Sequence, residues 1–301
     1  MRTVASLDIG TNSTLFLLAQ VDEAGRITPL RHEVRTNDLG RGLDAQGRLS
    51  PEVISLNLKQ FQEFNQIATA GGAQEIRPAA TEALRRAQNA DELIRRARSE
   101  LGLEIRIISG QEEARLTYLG VISGLNDPAE RILLADVGGG STEIILGAEG
   151  KTQKSVSLPI GAVGLDRTFI RHDPATPDEV ESIREHIRTT LAKMDVFHHP
   201  TARLFICGGA ASALASADLG LATYQPAKIA SHRMTLERLG RFIEQFRTLN
   251  LESRRAIPGI GRRRAEIILP GALIIAELLE ALGREEYYTS ERGLRYGLIL
   301  R

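Results

Sequence analysis

The residues best suited to chemistry sit together: Asp136, Val137, Gly138, Gly139, Gly140, Ser141, Thr142 and Glu143, between apolar runs at 133–135 and 144–146. Glycines can supply the positive φ of a tight turn, and they let backbone N–H groups approach a ligand with no Cβ in the way. Successive N–H groups in such a turn form a nest for anions, and neighbouring hydroxyls add donors. Asp136 at the mouth of the turn would repel a phosphate, so the pattern makes sense with a divalent cation, most simply Mg²⁺, between the two. Asp8, Gly10, Ser13 and Thr14 repeat Asp136, Gly138, Ser141 and Thr142 at one common offset. Two such turns suggest a duplicated domain that holds phosphates between its halves.

The elements that must position these turns follow from apolar spacing and end signals. Strands are predicted at 4–9, 15–21 and 27–34, an antiparallel start to a sheet. Ser50 and Pro51 open a helix whose apolar face is Val53, Leu56, Leu58, Phe61, Phe64 and Ile67, and Gly71 and Gly72 stop it. A strand at 76–80 leads to Arg85, and a charged helix at 91–101 ends at Gly102. A strand at 105–108 delivers Ser109, whose pairing with Glu112 reads as a capping box, leaving Glu113 as the free carboxylate of that turn. Asn126, Asp127 and Pro128 read as the hinge between halves.

The second half continues with a strand at 155–158, a short helix at 161–170, and a capping box from Thr176 to Glu179 heading a helix that carries Val180, Ile183, Ile187, Leu191 and Met194. A strand at 204–207 runs into Gly208 and Gly209 and a helix, a third contact for phosphate or nucleoside. Helices are expected at 236–246, 262–282 and 291–300, with one strand near Tyr287 and Tyr288.

Composition narrows the class. Lys+Arg and Asp+Glu are equal at 38 each, so no global field recruits nucleic acid or membrane, and any polyanion must be held by local arginines. The one cysteine, Cys207, excludes an intramolecular disulfide and any cysteine metal cluster, which fits a reducing cytosol. Met1 and Arg2 run straight into the first strand, leaving no room for a signal peptide. The longest apolar stretch, 267–282, is interrupted by Pro270, Glu277 and Glu280 and is too short for a membrane span. The chain is therefore expected to be cytoplasmic. His198, His199 and Pro200 read as a solvated helix end, and Gly150, Lys151 and Thr152 lack the earlier glycine of a Walker loop.

Taken with their order and spacing, the turns at Asp8 and Asp136, the segments 80–85, 109–113, 157–161 and 290–295, the pair Gly208 and Gly209, and the helix start at Arg264 and Ala265 resemble the exopolyphosphatase and guanosine pentaphosphate phosphatase family. The resemblance runs nearly end to end and matches the short, two-domain form. It implies an α/β fold of two actin-like (ribonuclease H-like) domains, of the actin, sugar kinase and heat-shock ATPase superfamily, with an interdomain cleft. The first domain would span 1–125, completed by the C-terminal helix at 290–301, and the second 126–289. It also implies release of terminal orthophosphate from inorganic polyphosphate by metal-assisted attack of water, the alternatives being hydrolysis of guanosine pentaphosphate or a non-catalytic sensor of such ligands.

Carried over by residue, Glu113 falls on the base that activates water and Glu143 on a second catalytic carboxylate. Asp136, Glu143 and Asp8 fall on metal-linked positions for Mg²⁺ or another divalent cation. Gly10, Thr11, Asn12, Ser13, Arg85, Gly138, Gly139, Gly140, Ser141, Thr142, Gly208, Gly209 and Arg264 fall on phosphate-binding positions. The chain departs from the family at Leu15 and Phe16, where an Arg or His often stands; an unreplaced charge-assisted contact there is worth about 1.5–3 kcal/mol.

Two rival classes have sequence support. The run from Ile257 through Gly259 and Gly261 to Arg264 resembles a helix-hairpin-helix, but nucleic acid is not the expected partner at zero net charge. A sugar or acetate kinase would share the fold, yet two water-facing glutamates favour hydrolysis. Whether the chain is a monomer or a homodimer stays open.

Overall fold

The computed structural model describes residues 1–192 and 202–301; Met194 and the segment 198–200 lie outside the described residues. The chain divides into two compact units, 1–128 with 292–301, and 129–291.

The first unit holds β1 (Arg2–Ile9), β2 (Ser13–Val21), β3 (Ile27–Thr36), α1 (Pro51–Ala70), β4 (Glu75–Ala80), α2 (Glu82–Arg86), α3 (Ala90–Leu101), β5 (Arg106–Ile107) and α4 (Gly110–Ile122). The second holds β6 (Ile132–Val137), β7 (Thr142–Ala148), β8 (Lys151–Leu158), α5 (Ala162–Phe169), α6 (Pro177–Leu191), β9 (Arg203–Cys207), α7 (Gly209–Asp218), α8 (Pro226–Ile229), β10 (Arg233–Thr235), α9 (Leu236–Thr248), α10 (Leu251–Arg255), α11 (Ile268–Ala281) and β11 (Glu286–Thr289). The last helix, α12 (Leu294–Leu300), returns to the first unit.

The two sheets run in the orders β3-β2-β1-β4-β5 and β10-β11-β9-β6-β7-β8. In each, two hairpin-linked pairs give three antiparallel strands, and the first strand pairs in parallel with one that follows a helix. The registers match as well: Ile9 faces Thr14 and Asp8 faces Leu15, while Val137 faces Thr142 and Asp136 faces Glu143. The repeat of residue types is thus a repeat of structure.

In the first unit, α1 and α3 cover one face of the sheet through Phe16, Leu58, Phe61, Phe64 and Leu93, with Phe16 and Phe64 stacked 5.3 Å apart. On the opposite face α12 lays Tyr296 and Ile299 against Val4, Leu17 and Val21. Beside it, α12 meets α4 backbone to backbone. A Cβ on Gly297 would fall 1.9 Å from the Leu116 carbonyl oxygen, and one on Gly120 2.1 Å from that of Gly293.

Several boundaries differ from expectation. Ser50 does cap α1, and Glu179 completes the capping box of α6. Leu56, however, is 38% exposed; Ile54 and Asn57 are buried instead. The helix expected over 262–282 is a 3₁₀ turn at Arg264–Glu266 followed by α11. A helix begun at 262 would bury Pro270 in its interior, where proline removes a hydrogen bond and clashes with the preceding turn; starting at Ile268 puts Pro270 in the first turn. The last helix starts at Leu294, after Gly293, whose backbone is not helical and whose carbonyl lies against Gly120. The strand β10 and the short helices α8 and α10 were not foreseen.

Candidate active site

The first turn is built from its carbonyls backwards. Gly10 N–H closes the hairpin on the Ser13 carbonyl at 3.0 Å. The Gly10 carbonyl accepts from Asn37 Nδ2 at 2.8 Å, that of Thr11 from Gly40 N at 2.8 Å, and that of Asn12 from Asn37 N at 3.1 Å. In a trans peptide the N–H points opposite to the carbonyl, so the N–H groups of Thr11, Asn12 and Ser13 face the other way as a nest. Asn37, fully buried and itself held by Asn57 Nδ2 at 2.9 Å, is the residue that sequence reading missed; it looked like loop.

The second turn repeats the device with different parts. Gly138 N–H donates to the Ser141 carbonyl at 3.0 Å. The carbonyls of Gly138 and Gly139 accept from Ala162 and Val163 at the start of α5, at 3.1 and 2.9 Å. The N–H groups of Gly139 and Gly140 therefore point away from α5. Gly161 makes this approach workable, since a Cβ there would lie 2.4 Å from Gly139 C and Gly140 N.

Two expectations about these turns need correction. None of Gly10, Gly138, Gly139 and Gly140 has a positive φ. Glycine is needed for closeness: a Cβ on Gly138 would lie 2.9 Å from the Ser141 carbonyl oxygen. The Thr142 hydroxyl, placed among the phosphate donors, is buried and donates to the Ile160 carbonyl at 2.7 Å; Thr14 is likewise buried and accepts from Asn37 Nδ2 at 3.2 Å. These hydroxyls lock the turns from behind.

Glu113 is not a free carboxylate. It is 7% exposed, and Arg85 Nη1 donates to its Oε2 at 2.7 Å. Arg85 also donates to the Ile108 carbonyl at 2.8 Å and to Glu82 Oε2 through Nε and Nη2 at 3.2 and 2.9 Å. Burial draws the Arg85 pKa down, but the charges of Glu113 and Glu82 outweigh it and raise it, so this arginine stays charged. It is spent mostly on holding Glu113 and Glu82, not on an open phosphate seat. The capping box at Ser109 is only half made: Ser109 Oγ accepts from Glu112 N at 3.2 Å, while the Glu112 carboxylate turns to Arg106 at 3.3 Å.

In the second unit Asp136 and Glu143 are direct cross-strand partners, and Glu143 is 1% exposed. Like charges placed directly opposite destabilise a sheet unless a cation or a proton is shared. Among the described residues no group of three or more His, Cys, Asp or Glu is gathered to hold a metal. Magnesium keeps several waters and needs only one or two carboxylates, so the pair Asp136 and Glu143 fits it. Asp8 faces Leu15 instead of an acid, so its hairpin offers a single carboxylate.

Gly208 sits between strand and helix with φ +101°, and a Cβ would fall 2.4 Å from the Val137 carbonyl oxygen. The Arg264 guanidinium lies on the next residue, since a Cβ on Gly209 would be 1.9 Å from its Nη2. Arg264 keeps a partial opening to solvent, yet burial lowers its pKa to about 10. Among the described residues its side chain has no ion-pair or hydrogen-bond partner. A desolvated, uncompensated guanidinium beside a diglycine turn can accept an anionic oxygen.

Duplicated α/β units with the same strand arrangement and a glycine hairpin turn in each, one carrying an acid pair and an open arginine, define a two-unit α/β class of protein with anion-ready turns. The profile of the Ppx/GppA phosphatase family matches residues 17–301, and the chain belongs to that family of phosphoanhydride hydrolases. It is 29% identical to Exopolyphosphatase 1 of Mycobacterium tuberculosis over 98% of this chain and 86% of the relative. Exopolyphosphatase 2 of the same species is also 29% identical, over 99% and 97% of the two chains. The crystal structure of the Aquifex aeolicus Ppx/GppA family member superposes with a TM-score of 0.85 at 30% identity, covering 99% of this chain and 96% of the other. An exopolyphosphatase from Cytophaga hutchinsonii, at 23% identity, shares the fold with a TM-score of 0.87 over 98% and 96%. Among the described residues no helix is long and apolar enough to cross a membrane.

Proposed function

We propose that this chain is a divalent-cation-dependent exopolyphosphatase that releases terminal orthophosphate by attack of water. The observation that carries the reading is Arg264: a desolvated cation without a protein counter-ion, laid on Gly209 where only a ligand's anion would complete it. The nests at 11–13 and 139–140, one in each unit, each add oriented N–H donors for a phosphate oxygen. A cation held by Asp136 and Glu143 would neutralise phosphate oxygens; Mg²⁺ is the expected ion. Glu113, fixed by Arg85, is the base that takes the proton from water, and Glu143, paired with Asp136, belongs to the cation site.

Guanosine pentaphosphate is the second reading, and Leu15 favours keeping it. Leu15 and Val34, the latter 50% exposed, are register partners beside Asp8 and form an apolar strip next to the first turn. A bare polyphosphate has no use for such a strip, whereas a nucleoside could lie on it.

Glu113→Gln should lower phosphate release from polyphosphate by about 10²–10⁴-fold, the usual range for a positioned base, while circular dichroism stays unchanged. Turnover within threefold of wild type would remove Glu113 from the mechanism. The same assay with polyphosphate and with guanosine pentaphosphate, each with and without Mg²⁺, ranks the substrates and tests the cation.

A further inference from the structure

Four strands of the second sheet set four polar side chains in one row. Ser157 on β8 faces Glu143 on β7, Glu143 faces Asp136 on β6, and Asp136 faces Cys207 on β9. Register partners project from the same face of a sheet, so neighbours in this row can touch. The inner two are acids and the outer two carry a hydroxyl and a thiol. Ser157 Oγ donates to Glu143 Oε1 at 2.7 Å, and Cys207 stands beside Asp136 on the neighbouring strand. Cys207 is buried at the far end of the row.

The duplicated hairpin of the first unit supplies an internal control. Its row, on the same registers, reads Val34, Leu15, Asp8 and Ala79: one acid and no donor. The strand scaffold therefore does not itself require hydroxyl or thiol at the ends of the row. They occur where two acids stand side by side. Ser157 is solvent-exposed, so its hydrogen bond replaces one to water and adds little to stability. What the bond does fix is the plane of a carboxylate that is otherwise buried.

We propose that Ser157 is a positioning residue for the acid pair: it holds Glu143 Oε1, and so presets Glu143 and Asp136 to share one divalent cation. The inference rests on the hydrolase reading only in taking the acid pair as the cation site.

The test is Mn²⁺ binding to the full-length, substrate-free protein, followed by titration calorimetry and by the electron paramagnetic resonance signal of free Mn²⁺. Ser157→Ala should bind Mn²⁺ about 10-fold to 100-fold more weakly, the usual cost of losing a partner that orients a ligand. Ser157→Thr, which keeps the hydroxyl on a strand that accepts β-branched residues, should bind within threefold of wild type. The unfolding midpoint in the presence of EDTA should be the same for all three proteins. Mn²⁺ binding to Ser157→Ala at wild-type strength overturns the inference, and so does an equal loss in Ser157→Thr, which would assign the effect to packing. A wild-type protein that hydrolyses polyphosphate but binds no Mn²⁺ also overturns it while leaving the hydrolase reading intact. A protein whose Mn²⁺ binding depends on Ser157 in this way yet which hydrolyses neither substrate removes the hydrolase reading alone.

Discussion

A desolvated cation without a protein partner costs stability, and an anion bound at Arg264 would offset that cost. Arg264→Met retains much of the side-chain volume over Gly209 and removes the charge. It should leave the unliganded protein as stable as wild type or raise its stability by about 1 kcal/mol, as when buried ions are replaced by apolar side chains. The same change should raise KM for polyphosphate about 10-fold to 100-fold, the worth of a charge-assisted hydrogen bond of about 1.5–3 kcal/mol. Thermal melts and steady-state kinetics check both halves; a lower melting temperature with unchanged KM would make Arg264 a packing residue. The two hairpin turns were legible in the sequence because each is a glycine-containing local pattern between apolar runs. Partnerships were not. Arg85 meets Glu113 across 28 positions, and the Thr142 hydroxyl finds a carbonyl 18 positions away, contacts that only the folded sheet creates.

At the scale of elements, α4 carries Glu113 at its first turn, and its placement depends on glycine. Gly297 of α12 lies against the Leu116 carbonyl and Gly120 against that of Gly293, so α4 and α12 touch at their backbones. Gly297→Ala must move one helix, because the obstacle is main chain and no rotamer change relieves it. The expected result is destabilisation of about 1–3 kcal/mol, typical of overpacking, together with a fall in kcat larger than the change in KM, since Glu113 rides on the displaced helix. Activity measured well below the melting temperature separates the two effects; full kcat in a destabilised Gly297→Ala would show that α4 tolerates the shift. The strands and long helices around this contact were readable from periodicity and caps. Gly120 and Gly297 were not, since a glycine inside a helix signals weakness locally and close approach only once the neighbour is known.

The whole chain is two units of unequal continuity. The second unit, 129–291, is one uninterrupted segment with its own core around α11, whose Leu269, Leu273, Ile274 and Leu278 are buried. The first is completed by 292–301, which arrives after the second unit has been made. Without α12 the sheet face bearing Val4, Leu17, Val21 and Ile27 loses its cover of Tyr296 and Ile299. Burial of Leu294, Tyr296, Leu298 and Ile299 contributes on the order of 6–12 kcal/mol as an upper estimate, comparable with the whole stability of a domain. A fragment of residues 129–291 should therefore unfold cooperatively in urea, whereas a fragment of 1–128 should show no cooperative transition. Joining 292–301 to the first fragment through a flexible linker should restore one. If 1–128 alone unfolds cooperatively with the stability of the joined fragment, α12 is not part of that core, and the backbone contact that seats the Glu113 helix has to be explained another way.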